Sequence, residues 1–310
     1  MLIINFGEFI DYPTMNSPKL LVDNAEKLLT AFTIFGRREN QGQAVDLFDK
    51  AGNLFKLNKD WENAKKAYVR AAQVSQILGQ GFETSNFYCS AAKMCKNYST
   101  KEAITYFNES VKIDLENNRL SQVARSYQEI AELEVKNGDL KTAINAYQKT
   151  ADYYLASDSK SKSNQMSLNV AHYSAEIGDF KKAYEIYDQQ VQSALESQMA
   201  IYSAKEYIFK ATLCYFLMII YDSNDISNVQ NLVDRYVNLC SKFEGSAEHI
   251  LLQSCVDSYI ENEVDKFTDA LFRYDHVHKL DNWTGNLFLK IKEKLTNTET
   301  SADLKEPNLQ

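Results

Sequence analysis

The chain has 310 residues, of which 45% are hydrophobic, and a formal net charge of 34 − 42 = −8. It holds only 10 glycines and 3 prolines, none of the prolines between positions 19 and 306. This argues against an all-β sandwich or propeller, whose tight turns need both residues, while the acidic balance disfavours a general nucleic-acid binder because phosphate backbones are repelled.

The chain opens with Met1–Ile10 (MLIINFGEFI), apolar but interrupted by Glu8 and lacking a basic flank. No secretory signal is read there, and residues 1–22 are expected to form an N-terminal extension. A repeat then begins. Alanines stand at Ala51, Ala91, Ala131, Ala171 and Ala211, 40 residues apart each time. A second series, Ala64, Ala103, Ala143 and Ala183, runs in phase with the first, and an aromatic follows each member by four residues: Tyr68, Phe107, Tyr147 and Tyr187. Such a period with helical patterning predicts stacked helical hairpins.

One unit shows the grammar. Residues 121–137 place Val123, Tyr127, Ile130, Ala131 and Val135 on one stripe, the spacing of an amphipathic helix. Gly138 suits a left-handed C-cap and Asp139 an N-cap. The next helix carries Leu140, Ala143, Ile144, Tyr147, Ala151 and Tyr154 inward. Gly178-Asp179 repeats the punctuation 40 residues on. Small residues admit close helix approach and rings fill the gaps, so these positions are read as packing.

Farther along, Ala211–Tyr221 is the most apolar stretch, but its 11 residues fall short of the roughly 20 that span a bilayer. The phase slips near 220; Val229 and Phe267 are candidates to continue the second series. The part from about 244 to 295 reads as a helical cap and 296–310 (TNTETSADLKEPNLQ) as a flexible tail. The fold class expected from the period is all-α, a stack of tetratricopeptide-like hairpins.

Catalytic chemistry finds no foothold. There is no phosphate-binding glycine motif. His276 and His278 are two apart, so on a helix they face different sides and make a poor metal pair. Cys89 and Cys95 read as semi-buried core thiols, and five irregularly spaced cysteines favour a reducing, cytoplasmic compartment over a disulfide framework. Acidic pairs such as Glu132/Glu134 suit a solvated helix face. No enzyme, metal or cofactor is expected; an array without catalytic punctuation supplies a binding surface.

Four strings carry a family resemblance. Tyr202–Phe216 (YSAKEYIFKATLCYF) resembles the YSAKDYFFKAALCHF stretch of the soluble NSF attachment proteins of alpha/beta type. Gly52–Trp61 (GNLFKLNKDW) is similar to their ANMFKMAKNW, residues 149–154 (KTADYY) to QSADYY, and Leu280–Leu295 (LDNWTGNLFLKIKEKL) to their C-terminal LDQWLTTMLLRIKK helix. The likeness runs from about 24 to 295. It implies an all-α fold, a right-handed superhelical array of tetratricopeptide-like hairpins over 23–222 followed by a C-terminal helical bundle over 223–295, and a non-catalytic adaptor without cofactor. Several copies would coat a four-helix SNARE complex, syntaxin-type subunits included, and present it to the AAA+ ATPase NSF. The protein would be cytoplasmic and peripherally membrane-associated, with no nucleic-acid partner.

The resemblance also implies sites. Ala31–Arg38 (AFTIFGRR) corresponds to a membrane-contact loop, with Phe32, Ile34 and Phe35 as inserters and Arg37 and Arg38 near anionic headgroups. Lys56, Lys59, Lys96, Arg119, Arg125 and Lys205 match positions that meet the acidic SNARE surface, whereas Gln165, Asn169 and Ala247 stand where the family has basic residues. Glu261, Glu263 and Asp265, with Leu304 or Leu309, correspond to the NSF contact. The other reading of the same array is a generic tetratricopeptide-like scaffold holding a peptide or chaperone tail in its groove.

Overall fold

The structure, a computed structural model, describes residues 17–32, 36–196, 201–223 and 225–303. Among them are fourteen α-helices and no strand. The chain divides into two compact units, 1–163 and 164–310.

The first unit is a run of antiparallel neighbours: α1 (Pro18–Thr30), α2 (Arg37–Leu57), α3 (Trp61–Ile77), α4 (Gly81–Cys95), α5 (Thr100–Glu116), α6 (Leu120–Asn137) and α7 (Leu140–Ala156), each packed on the next. The alanines explain how closely they pack. Ala51, Ala64, Ala91, Ala103, Ala131 and Ala143 are wholly buried, and Tyr68, Phe107 and Tyr147 are at most 5% exposed. Gly52 marks a close approach. A Cβ there would lie 2.7 Å from Cε1 of Tyr68, a ring whose hydroxyl donates to Asn53 Oδ1 at 3.0 Å.

The turns share one chemistry. Gly138 ends α6 at φ +81 and Asp139 caps α7, accepting from the Thr142 N–H at 3.0 Å. Gly178 and Asp179 do the same before Lys182. The left-handed residue is not always glycine: Lys59, Asn118 and Asp158 hold φ between 53 and 58. In each case the next N–H reaches back to a carbonyl five residues earlier, as Asp60 to Phe55 at 2.9 Å and Arg119 to Asp114 at 2.8 Å. This pattern satisfies carbonyls that the helix end leaves orphaned.

In the second unit the rest of α8 (Lys160–Glu176) joins α9 (Phe180–Leu195), α10 (Ile201–Asp222), α11 (Ser227–Leu239), α12 (Ala247–Ile260), α13 (Val264–His278) and α14 (Asn282–Asp303). The apolar stretch of the sequence lies in α10, whose Ala211, Leu213, Cys214, Phe216 and Leu217 are wholly buried. That helix packs on α9, α11, α12 and α14, so the last hairpin and the C-terminal helices share one core. The compact unit that holds this core begins at 164. Val229 and Phe267 are both wholly buried in it. Among the described residues, no helix is long and apolar enough to cross a membrane.

Two ends also differ from the sequence reading. Helix α1 starts inside the expected extension, at Pro18, whose fixed φ suits the first helical turn. Helix α14 runs to Asp303, past the expected end at 295; lengthening an existing helix needs no new nucleus, so polar residues can continue it.

Within the second unit, His172 joins α8 to α14. Its ring stacks on Trp283 (centroids 5.1 Å, 15°), Trp283 Nε1 donates to the His172 carbonyl at 3.1 Å, and its Nε2 faces Glu176 at 3.2 Å. Burial pushes the His172 pKa below its ordinary 6.5; Glu176 and Asp281 oppose the shift and Lys210 reinforces it.

Two predictions follow from this packing. Gly52→Val should lower stability by about 2 kcal/mol, because the Tyr68 ring is pinned and overpacking a tight core costs in that range; denaturant unfolding measures it, and an unchanged midpoint would show that the ring yields. For His172, a folded-state pKa below the unfolded one means that its contribution is complete above about pH 6.5 and is lost as pH falls below it. Melting temperatures at about pH 7.5 and about pH 5.5 should therefore diverge more for the native chain than for His172→Gln.

Candidate functional site

The six cations marked in the sequence fall into two electrostatic groups. Lys56, in the last turn of α2, and Lys59, in the α2–α3 turn, are exposed, as is Arg125 on α6. None of these three has an ion pair among the described residues; Arg125 Nη1 meets only Gln122 Oε1, at 3.4 Å. The other three are paired. Lys96 Nζ lies 2.5 Å from Glu129 Oε2, tying the end of α4 to α6. In the second unit, Lys205 on α10 pairs with Glu248 on α12 at 3.1 Å, and this proximity helps hold the Glu248 carboxyl below its ordinary range against the opposing effect of burial.

Arg119 is the most committed of the six. At the start of α6 it pairs with Asp114, a carboxylate whose side chain is 1% exposed. Its guanidinium also sits over the Phe82 ring at 4.8 Å, and Nε and Nη1 are buried without a hydrogen-bond partner. A buried Asp114 without its counter-charge would be costly, so Arg119 works first as a clamp between α5 and α6.

Further charged ties join alternate helices. Arg70 on α3 grips Glu26 on α1 through two bonds of 2.7 Å, and Lys65 on α3 reaches Glu102 on α5 at 3.1 Å. These pairs are partly buried yet open to solvent on one side, where such pairs contribute about 1 kcal/mol or less each. They set register more than they set stability.

The other marked residues lie at the ends. Phe32, just after α1, is 93% exposed, and Arg37 and Arg38 open α2. Arg38 also donates to the Leu78 carbonyl at 3.3 Å. Ile34 and Phe35 lie outside the described residues. At the α12–α13 turn Glu261, Glu263 and Asp265 are exposed. Lys266 pairs with Glu261 at 2.7 Å and with Glu263 at 3.4 Å, leaving Asp265 outside that cluster of pairs. Leu304 and Leu309 are outside the described residues.

The sequence profile of the family described as "Soluble NSF attachment protein, SNAP" matches residues 16–296. The chain belongs to the SNAP family. An alpha-soluble NSF attachment protein of Vitis vinifera is 31% identical over 90% of this chain and 94% of its own length. One of Mus musculus is 32% identical over 86% of this chain and 88% of its own. The vesicular-fusion protein SEC17 of Komagataella phaffii is 29% identical over 84% and 87%.

For a SNAP-family chain, one feature of this surface was not read from the sequence. Lys93 on α4 and Arg125 on α6 line the same hollow, of about 470 Å³. No motif signals Lys93. What places it is the register of α4 on α6: Cys89 touches Ser126 (3.6 Å) and Lys96 pairs with Glu129, and Lys93 lies between them in sequence. Among the described residues, no group of three or more His, Cys, Asp or Glu could hold a metal ion, and Cys95, expected to be semi-buried, is fully buried while Cys89 is half-buried.

Arg119 and Arg125 should therefore separate on mutation. Arg119→Ala should cost on the order of 3 kcal/mol, the loss expected when one partner of a buried pair is removed. Arg125→Ala should stay within about 0.5 kcal/mol, as exposed substitutions do. Chemical denaturation of both variants measures the difference; equal small effects would show that Asp114 does not depend on Arg119.

Proposed function

We propose that this protein is an adaptor of vesicle fusion that binds assembled SNARE four-helix complexes at membranes and recruits and stimulates the AAA+ ATPase NSF to take them apart. Membership of the SNAP family over residues 16–296 carries the reading. The names of its relatives, NSF attachment protein and vesicular-fusion protein SEC17, point the same way. In this role the chain performs no catalysis of its own.

The grip begins with the cations. Lys56, Lys59 and Arg125 are available to an acidic rod as they stand. Lys96, Arg119 and Lys205 could join only by sharing or exchanging Glu129, Asp114 and Glu248. Single exposed pairs are worth about 0–1 kcal/mol, so the adaptor must work through many weak contacts, several copies and tethering to a surface.

The tether is the loop after α1. Inserting one large apolar side chain contributes on the order of 1.5–3 kcal/mol, and Phe32 is presented for this. Arg37 and Arg38 follow, each adding about 1 kcal/mol beside anionic headgroups. The family resemblance assigns Ile34 and Phe35 to the same contact. The contact with NSF is assigned to Glu261, Glu263 and Asp265 together with Leu304 or Leu309.

Reconstitution tests the reading. SNARE complexes, NSF and ATP should disassemble faster when this protein is added; an unchanged rate would refute it. Phe32→Ser should slow the reaction on anionic vesicles and leave it unchanged in detergent, with vesicle flotation as the direct measure of the tether. An equal loss in both settings would assign Phe32 another task.

A further inference from the structure

We infer that the hollow between α12 and α13 docks an amphipathic segment of a partner protein, which seats one large apolar side chain there and sets a carboxylate against Arg273. This site is separate from the four-helix grip and from the NSF contact, and it does not depend on the adaptor reading.

Two helix faces build the hollow. Ala247, Ile250 and Ser254 on α12 are spaced i, i+3, i+7, as are Ala270, Arg273 and Val277 on α13, and both sets line one cavity of about 210 Å³. Leu251 and Tyr274 line it too; Leu251 is buried and the Tyr274 ring stacks on Phe209 of α10 at 6.1 Å, so these walls are anchored in the core. Helix α12 is apolar on two sides. Its Leu252, Cys255 and Val256 are wholly buried, yet Ile250 is 59% exposed, and across the hollow Val277 is 71% exposed. Residues 249–256 contain no Asp, Glu, Lys or Arg. A helix apolar all round is normally covered, so the Ile250 side of α12 has the composition of a contact surface.

Size and charge select the occupant. Pockets that enclose whole small-molecule ligands run to about 300–1,000 Å³, and this smaller hollow suits a single side chain. Its lining holds Arg273 and His278 but no carboxylate. Arg273 is exposed and has no ion pair among the described residues, whereas the carboxylate beside Ala247, Glu248, is taken by Lys205 at 3.1 Å. Arg273 and Val277 are four residues apart, about 6 Å along α13. A partner that fits therefore carries its apolar side chain and its carboxylate one helical turn apart, as an amphipathic helix does. A membrane anchor needs a broad apolar face flanked by several cations; one arginine beside a small hollow does not supply it. The turn that bears Glu261, Glu263 and Asp265 lies at the other end of α12, about 15 Å from Ile250.

The probe is a capped, fluorescein-labelled peptide repeating Glu-Ala-Ala-Leu, a helix-forming sequence that sets Glu and Leu three residues apart. Fluorescence anisotropy with the full-length protein should show saturable binding. Ile250→Ser should weaken it about tenfold, the loss of one apolar contact. Arg273→Glu should weaken it about 5–10-fold at low salt. A peptide repeating Lys-Ala-Ala-Leu should bind Arg273→Glu better than the native chain, a reversal that adhesion to apolar surface alone would not give. Lys141→Glu, at an exposed lysine on α7, should change nothing. No saturable binding at about 1 mM peptide, or equal binding by every variant, overturns the inference. Displacement of the peptide by a preassembled SNARE complex or by phosphatidylserine vesicles overturns it as well, by giving the hollow to an interface already proposed. Arg273→Glu should leave SNARE disassembly with NSF at the native rate, so failure at this hollow leaves the adaptor reading intact. Both substituted residues are exposed, and circular dichroism matched to the native spectrum confirms that lost binding is not lost folding.

Discussion

Ala51 on α2 and Ala64 on α3 are both wholly buried, and between them two helix backbones come close enough for Gly52 to meet the Tyr68 ring. Interaxial distance is set by the side chains at the contact. A methyl group at each crossing keeps successive hairpins near one another, and the aromatic four residues on fills the wedge that opens beside it. Because the crossings recur at intervals of about 40 residues, charged groups at the same point of each hairpin recur in space as well. The binding surface inherits its spacing from the alanines beneath it.

The same stacking makes the cations compete for partners. A lysine or arginine near a helix end can reach the next helix but one, and there it often finds a carboxylate. Lys96 finds Glu129, Arg70 finds Glu26 and Lys65 finds Glu102. Arg119 goes further, because Asp114 is buried and cannot be left alone. Positive charge that could hold a partner is thus divided between internal ties and an external grip. On this surface the distinction between Arg119 and Arg125 lies in depth, six positions apart along one helix.

This division explains what could be read from residues alone. The hairpins are legible because burial obeys periodicity: the alanine and aromatic series and the Gly138-Asp139 punctuation each correspond to a packed or capped position. The turn at Lys59 is not legible, since a lysine side chain does not announce a left-handed backbone, whereas Asn118 and Asp158 are residue types that tolerate one; in all three the return hydrogen bond of the turn holds the residue there. A division at 163–164 carries no sequence signal, because it depends on which helices share the α10 core, a property of contact and not of period. Family positions gave Lys56, Lys59 and Arg125 as exposed groups, but also Lys96, Arg119 and Lys205, whose partners lie 33, 5 and 43 residues away. Lys93 could not be seen at all without the register of α4 on α6.

The polar floor of that register has its own logic. Ser85, Ser110 and Ser126 stand where a repeat built on alanine would place more methyl groups, and Ser110 is wholly buried. Buried hydroxyls are tolerated when they find hydrogen-bond partners, and here Ser110 bonds to Ser85 and Ser126, each able to act as donor or acceptor. The cluster also reaches Asp114, through Ser110 Oγ at 3.5 Å, and so connects with the Arg119 clamp. A floor of this kind can reverse the sense of its hydrogen bonds without moving its atoms. It can therefore adjust its donors and acceptors within the core while the alanine crossings on either side hold the helices still. Rigidity from the methyl groups and adaptability from the hydroxyls are thus placed side by side, one layer apart, beneath the surface where the exposed cations stand.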